Sequence, residues 1–216
     1  MSIAKNISDI KSRLPEGVTL IAVSKTKSNQ EILEAYNAGQ RDFGENRVQE
    51  LVPKYEALPK DICWHLIGHL QSNKVKYIAP FVHMIHSIDS EKLLSEVNRQ
   101  AAKCNRVIPV LLQVFIAQEE TKFGFSFDEV RTTLHNLAQY PNVKVSGLMG
   151  MATNTGDVNQ IRSEFRSLNN FLSELKATNS EFANGELSTG MSSDWQIAVE
   201  EGSTMIRVGS NIFGTR

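Results

Sequence analysis

Two basic residues stand where basic residues are awkward. Lys25 closes the run "LIAVSK", in which Leu20 to Val23 are apolar without interruption, the pattern of a strand buried on both faces. Alternation along a strand puts Ile21, Val23 and Lys25 on one face and Leu20, Ala22 and Ser24 on the other. Far along the chain, "TMIRVGSNIF" places Ile206 and Val208 on one face and Met205, Arg207 and Gly209 on the other. A guanidinium aimed at an interior has to be paired or to meet a ligand, because burying it alone is costly. After it, Gly209, Ser210 and Asn211 make a small turn that exposes backbone and leads into a short helix containing Ile212 and Phe213. A second such loop, "LSTGMSSDW", sets Ser188, Thr189, Ser192 and Ser193 around Gly190. Turns of this kind offer N–H groups to phosphate. An amine, a cation and a phosphate seat are what is needed to hold a phosphorylated carbonyl compound covalently through nitrogen.

These groups serve that chemistry only if the fold gathers them. Short runs with strand character are "TLIAVSK", "RDFGEN", "CWHLIGH", "HMIHSID", "IPVLLQVF", "VKVSGLMGMA", "GELSTG" and "TMIRVG". Between several of them lie segments whose apolar residues recur every three or four positions, among them "NQEILEAYNAG", "SEKLLSEVNRQAAKCN", "SFDEVRTTLHNLAQY" and "QIRSEFRSLNNFLSELKAT". Ser90 and Ser126 stand at N-cap positions, and Gly39 ends its helix. Strand and helix alternating some eight times predict an α/β fold, a single-domain (β/α)8 TIM barrel over 1–216, with an extra helix at 1–14 packed on it. A doubly wound open sheet uses the same units, but no GxGxxG turn follows the first strand, and eight strands suit closure. In a closed parallel barrel functional groups collect at the C-terminal ends of the strands. Lys25, as the last residue of the first strand, is expected at that rim. Strand 8 closes against strand 1, so Arg207 becomes its neighbour. Arg207 and Lys27 nearby would favour the neutral, nucleophilic amine.

Two chemistries fit these residues: pyridoxal 5'-phosphate held as a Schiff base, or an aldolase that forms a Schiff base with a sugar phosphate. The motifs "AVSKTK", "FGENRVQE", "WHLIGHLQSNK", "GLMGMA", "LSTGMSSDW" and "IRVGSNIFGTR" resemble those of the pyridoxal phosphate homeostasis proteins. These are single-domain barrels related to the N-terminal domain of bacterial alanine racemases, and the likeness runs from about Leu20 to Arg216. The resemblance implies that Lys25 bonds covalently to the cofactor and that Arg207 faces its pyridine nitrogen. It implies that Gly209 and Ser210 hold the phosphate with help from Ser192 and Ser188. Asn46 would lie near the ring and its 3-hydroxyl, and Met191 would pack close by. It implies a protein that buffers or delivers the cofactor, with PLP-dependent apo-enzymes as transient partners and no firmly established turnover; a low-activity amino-acid racemase is the alternative. A guanidinium, donor-only and permanently charged, leaves the ring nitrogen unprotonated and the ring a weak electron sink, which suits a restrained racemase or a protein that only holds and hands over the cofactor. Related racemases add a second domain and a tyrosine as opposite-face base; here Tyr36, Tyr55 and Tyr77 sit in helical patterns and Tyr140 precedes the sixth strand.

The remaining features argue by exclusion. A chain of 216 residues with net charge −1 and 41% hydrophobic residues carries no electrostatic footprint for nucleic acid. No apolar stretch approaches the roughly 20 residues of a membrane span, and the N-terminal "MSIAKNISDIKSRL" lacks the core of a signal peptide. Two cysteines without a CxxC pair point to the reducing cytoplasm, and a monomer is expected. His65 and His69 would lie roughly 13 Å apart on a strand, too far to share an ion; His83, His86 and Asp89 face opposite ways, so no metal site is expected. Cys63 and Cys104 read as packing residues, and "KFGFSF" as a packed loop rather than a lid over the barrel mouth.

Overall fold

The structure is a computed structural model that describes residues 2–118, 123–179, 182 and 184–214. Met1, Lys122, Thr215 and Arg216, which the segments quoted above include, lie outside the described residues. In chain order the elements are α1 (Ile3–Lys11), β1 (Thr19–Val23), α2 (Asn29–Asn37), β2 (Asp42–Glu45), α3 (Val48–Ala57), β3 (Cys63–Leu66), α4 (Val75–Ile78) and β4 (Met84–Ile88). There follow α5 (Glu91–Lys103), β5 (Ile108–Gln113), α6 (Phe127–His135), β6 (Val143–Met149), α7 (Val158–Thr178), β7 (Glu186–Ser188), α8 (Trp195–Glu200), β8 (Met205–Val208) and α9 (Ser210–Phe213). The strands form a closed parallel barrel in sequence order, β1 pairing with both β2 and β8. The expected (β/α)8 architecture is therefore present.

Side-chain alternation sorts the strands into two cores. Leu20, Ala22, Phe43, Trp64, Ile206 and Val208 point outward and pack beneath the helices. Ile21, Met84, Leu111, Met149 and Met205 form a separate cluster inside the barrel. The helices start where side chains can satisfy free N–H groups: Ser28 and Ser126 form capping boxes with Glu31 and Glu129, and Ser90 accepts from Leu93 N–H. Helices α3, α4 and α8 are too short, or in α3 too interrupted by Pro53, for their periodicity to stand out in sequence.

The N-terminal helix does structural work at the rim. It buries Ile7 and Ile10, and its Asn6 Nδ2 donates to the Ile212 carbonyl of α9 at 2.8 Å. Helix α1 thus braces the turn that follows β8.

The ends of β1 and β2 are tied by a buried polar lock. Ser24 Oγ donates to Glu45 Oε1 at 2.6 Å, and Lys54 Nζ, from α3, donates to the same oxygen at 2.7 Å and to the Ser24 carbonyl at 2.8 Å. Burial pushes the Glu45 carboxyl up, opposed by its bonds to Lys54 and Ser24. Removing one member of a buried pair strands the other, so Lys54→Met is expected to lower stability by about 3–5 kcal/mol. Urea denaturation measures this, and Lys54→Met combined with Glu45→Gln should recover most of the loss; an unchanged midpoint in the single variant would show that the lock contributes nothing.

Candidate functional site

Beyond the lock the chain turns sharply. β1 ends at Val23, so Lys25 lies two residues past the strand and not at its last position as expected from sequence. The ladder ends there because β2 offers its last acceptor to Ser24 N–H, the Gly44 carbonyl at 3.0 Å. Lys27 N–H then donates back to the Ser24 carbonyl at 3.0 Å, closing a turn with Lys25 and Thr26 at its centre. Thr26 has φ +64°, a conformation that β-branched residues avoid. Its N–H is held by Glu50 Oε2 at 2.7 Å. The anchor candidate therefore sits in a strained, braced turn, with its side chain exposed at the rim. Lys27 points away: its Nζ donates to the Phe213 carbonyl at 3.1 Å and lies 3.4 Å from Glu31. It is not the cation beside Lys25 that sequence suggested.

A cavity of about 440 Å³ opens at the C-terminal ends of the strands. Lys25, Asn46, Met191, Ser192, Arg207, Gly209 and Ser210 all line it, together with Val23 and Ile67. Residues from opposite ends of the chain meet here because Ile21 is paired with Arg207 across the β1–β8 seam. Arg207 points inward and is only 4% exposed. Its Nη1 donates to the Ser188 carbonyl at 2.8 Å and to Ser188 Oγ at 2.6 Å, and its Nη2 to the Gly150 carbonyl at 3.1 Å. Burial lowers it to about 10, with the Asp194 carboxylate acting the other way, so it stays charged at neutral pH. Five N–H groups are available and three bonds are made within the protein, leaving donors for a ligand.

The loops after β7 and β8 are stitched together. Ser192 Oγ accepts from Gly209 N–H at 3.1 Å, the Ser192 carbonyl accepts from Asn211 Nδ2 at 3.2 Å, and Asp194 Oδ1 holds Met191 N–H at 2.6 Å. Gly190, at φ +87°, leaves no room for a side chain, since a Cβ there would lie 2.6 Å from that of Ala198. On the opposite wall Gly68 is equally constrained: a Cβ would sit 2.4 Å from the Asn46 carbonyl oxygen.

The residues present fit pyridoxal phosphate. Asn46 Oδ1 is a buried acceptor with no donor among the described residues, available to a ring hydroxyl. The N–H groups of Ser210 and Asn211 have no protein acceptor among the described residues, and they open the turn beside Gly209 as a phosphate needs. Ser188 lies elsewhere. It is fully buried beneath the cavity, bonded to Arg207 and to His86 Nδ1 at 2.9 Å, where its hydroxyl holds the arginine rather than facing the mouth.

Below Ser188 lies a feature that sequence reasoning did not find. His86 Nε2 is 2.9 Å from His65 Nδ1, and His65 Nε2 is 3.1 Å from Asp42 Oδ1. Both imidazoles are buried inside the barrel. The signal was available in the alternation: Trp64 and Leu66 face outward, so His65 faces in, as does His86 two residues after the inward Met84. Of the other candidates, His69 is exposed and paired with Asp89 at 3.0 Å. Cys63 begins β3, its thiol pushed up by burial, and Cys104 caps α5. Phe125 is packed in the core, while Phe123 of the same segment is exposed. No group of three or more His, Cys, Asp or Glu side chains among the described residues converges as a metal would require. No helix among them is long and apolar enough to cross a membrane.

Comparison with known proteins agrees with this geometry. The profile of the family described as "Alanine racemase, N-terminal domain" matches residues 1–216. The pyridoxal phosphate homeostasis protein of Aquifex aeolicus is 42% identical over 198 residues, covering 91% of this chain and 86% of the relative. The human protein of the same name is 40% identical over 209 residues, covering 91% and 76%. PipY of Synechococcus elongatus, solved with PLP bound, superposes with a TM-score of 0.89 at 40% identity, covering 99% of this chain and all of that one. Alanine racemase from E. faecalis shares the fold, with a TM-score of 0.73 at 17% identity, and this chain spans 58% of it.

The buried histidines predict a pH dependence of stability. Burial, reinforced by the neighbouring His65 and Arg207, holds His86 well below 6.5, and burial also lowers His83. Below about pH 6.5 the unfolded chain binds protons that the folded chain refuses, so stability should fall as pH drops. The slope for His86 approaches ~1.4 kcal/mol per pH unit. Glu45 and Asp194, raised by burial, act in the opposite sense. Urea denaturation at several values between pH 7.5 and 5.5 should therefore show a shallower slope in His86→Gln than in the unsubstituted protein; equal slopes would mean His86 is not buried neutral.

Proposed function

Because the chain belongs to the pyridoxal phosphate homeostasis proteins, within the alanine racemase N-terminal domain family, we propose that it binds pyridoxal 5'-phosphate and acts in buffering and delivering that cofactor. The observation that carries the reading is the convergence of Lys25, Arg207 and the Gly209–Ser210 turn on one cavity. The cofactor, when bound, supplies an aldehyde that condenses reversibly with an amine and a ring that can withdraw electrons. Lys25 is the amine that holds it covalently. Gly209 and Ser210 present main-chain N–H groups to the phosphate, with Ser192 fixing the approach of their loop. Asn46 accepts from the 3-hydroxyl, and Met191 packs against the ring.

Arg207 decides what the site does with the ring. It can only donate, so it leaves the pyridine nitrogen unprotonated and the electron sink weak. The four tyrosines lie on α2, α3 and α4 and in the turn before β6, so none brings a phenol to the cavity as a proton donor. Such a site holds and releases better than it catalyses, which agrees with relatives named for homeostasis. The reading places the chain in the cytoplasm, as a monomer that meets apo-enzymes transiently.

Lys25→Ala should abolish the visible absorption of the bound cofactor and its reductive trapping by borohydride, while leaving the circular dichroism unchanged, because an exposed rim side chain contributes little packing. Persistence of the band would show that a different lysine is the anchor. Transfer is checked by mixing the loaded protein with an apo-enzyme and following recovery of that enzyme's activity against a free-cofactor control; no recovery beyond the control would remove the delivery role.

A further inference from the structure

We propose that Asp42, His65, His86 and Ser188 form a one-way hydrogen-bond chain through the barrel interior that positions and polarises the charged Arg207 facing the cofactor ring. The chain starts at a group that can only donate and ends at one that can only accept. Arg207 Nη1 donates to Ser188 Oγ at 2.6 Å. Ser188 is then free to donate its own hydrogen to His86 Nδ1 at 2.9 Å. A His86 that accepts at Nδ1 carries its hydrogen on Nε2, and gives it to His65 Nδ1 at 2.9 Å. His65, accepting at Nδ1, carries its hydrogen on Nε2 and donates it to Asp42 Oδ1 at 3.1 Å.

Reversal is disfavoured at both ends. A neutral His65 donating from Nδ1 would turn the lone pair of Nε2 onto a carboxylate. Ser188 would then receive two donors and leave its own hydrogen without the imidazole acceptor. Each link is therefore specified by the next, and the chain calls for hydrogen on Nε2 of both rings. The chain crosses from β2 through β3 and β4 to β7 and β8, and its acidic end is partly open to solvent, with the Asp42 side chain 31% exposed. Dipoles aligned in this direction polarise one another, so the carboxylate is felt by a guanidinium on the far side of the interior. Asp42, His65 and His86 touch neither the cavity nor the cofactor; they are positioning residues acting through Ser188.

The inference rests on the reading that Arg207 meets the ring nitrogen, and two measurements keep the two apart. In the cofactor-free, uniformly ¹⁵N-labelled protein, long-range ¹H–¹⁵N correlations should show His65 and His86 neutral and protonated on Nε2. A hydrogen on Nδ1 of either ring, or an imidazolium at His65, would overturn the chain whatever the cofactor does. In protein loaded with ring-¹⁵N pyridoxal phosphate, Asp42→Asn keeps shape and removes the charge. It should shift the ring-nitrogen resonance and weaken cofactor affinity by about threefold, with the circular dichroism unchanged. Arg207→Lys serves as the reference. If it shifts the ring nitrogen and Asp42→Asn does not, the chain is refuted alone; if neither does, Arg207 is not at the ring and the functional reading falls with it.

Discussion

A permanent cation buried inside a parallel barrel is the constraint that orders this molecule. Arg207 cannot shed its charge at physiological pH, and the surrounding interior is largely methionine and aliphatic side chains. Ser188 meets it with both oxygens and Gly150 with its carbonyl, and the Asp194 carboxylate acts on it through its charge. In the loop after β7, Gly190 has φ +87° and no room for a Cβ beside Ala198. Only the donors left over face the mouth.

The amine end is solved by different means. Lys25 is exposed and mobile in principle, so its placement depends on the backbone that carries it. That backbone is clamped from below by the buried Ser24–Glu45–Lys54 lock and from the side by Glu50 holding Thr26 in an unfavourable conformation. A rigid cation, an amine on a clamped turn and a loop stitched by Ser192 line one cavity, and on the proposed function they would hold the cofactor at three separate points. The same site offers little help to proton transfer at carbon. On the proposed function, retention without turnover would suit a protein that holds a reactive aldehyde.

Much of this was legible in the chain, and the boundary is instructive. The inward direction of Met205 and Arg207, against outward Ile206 and Val208, follows from period-two alternation and is local. The barrel followed from rhythm, even where "DFGEN" and "ELSTG" are weakly apolar. What sequence could not supply were relations between strands. Where β1 stops is decided by the last acceptor on β2, which put Lys25 in a turn rather than on the strand. Ser188 was expected at the phosphate because its loop looks phosphate-binding, whereas its pairing with Arg207 depends on the β7–β8 juxtaposition. His65 was weighed against His69 and His83 against His86, each within its own strand. The contact that exists, His65 to His86, runs across two strands. Lys27 lies beside Lys25 in sequence but is drawn off by the carbonyl end of α9.

The β1–β8 seam gives the binding site an unusual thermodynamic status. Lys25 follows one edge of that seam and Gly209 follows the other, with Asn6 of the first helix bracing the far side. On the proposed function, a molecule bonded to the first and seated on the second would staple a junction between the beginning of the polypeptide and its end, one that Asn6 and Lys27 also span through their bonds to α9. Occupancy and stability of the closed barrel would then be linked. A ligand that favours the closed barrel would raise its resistance to unfolding with occupancy.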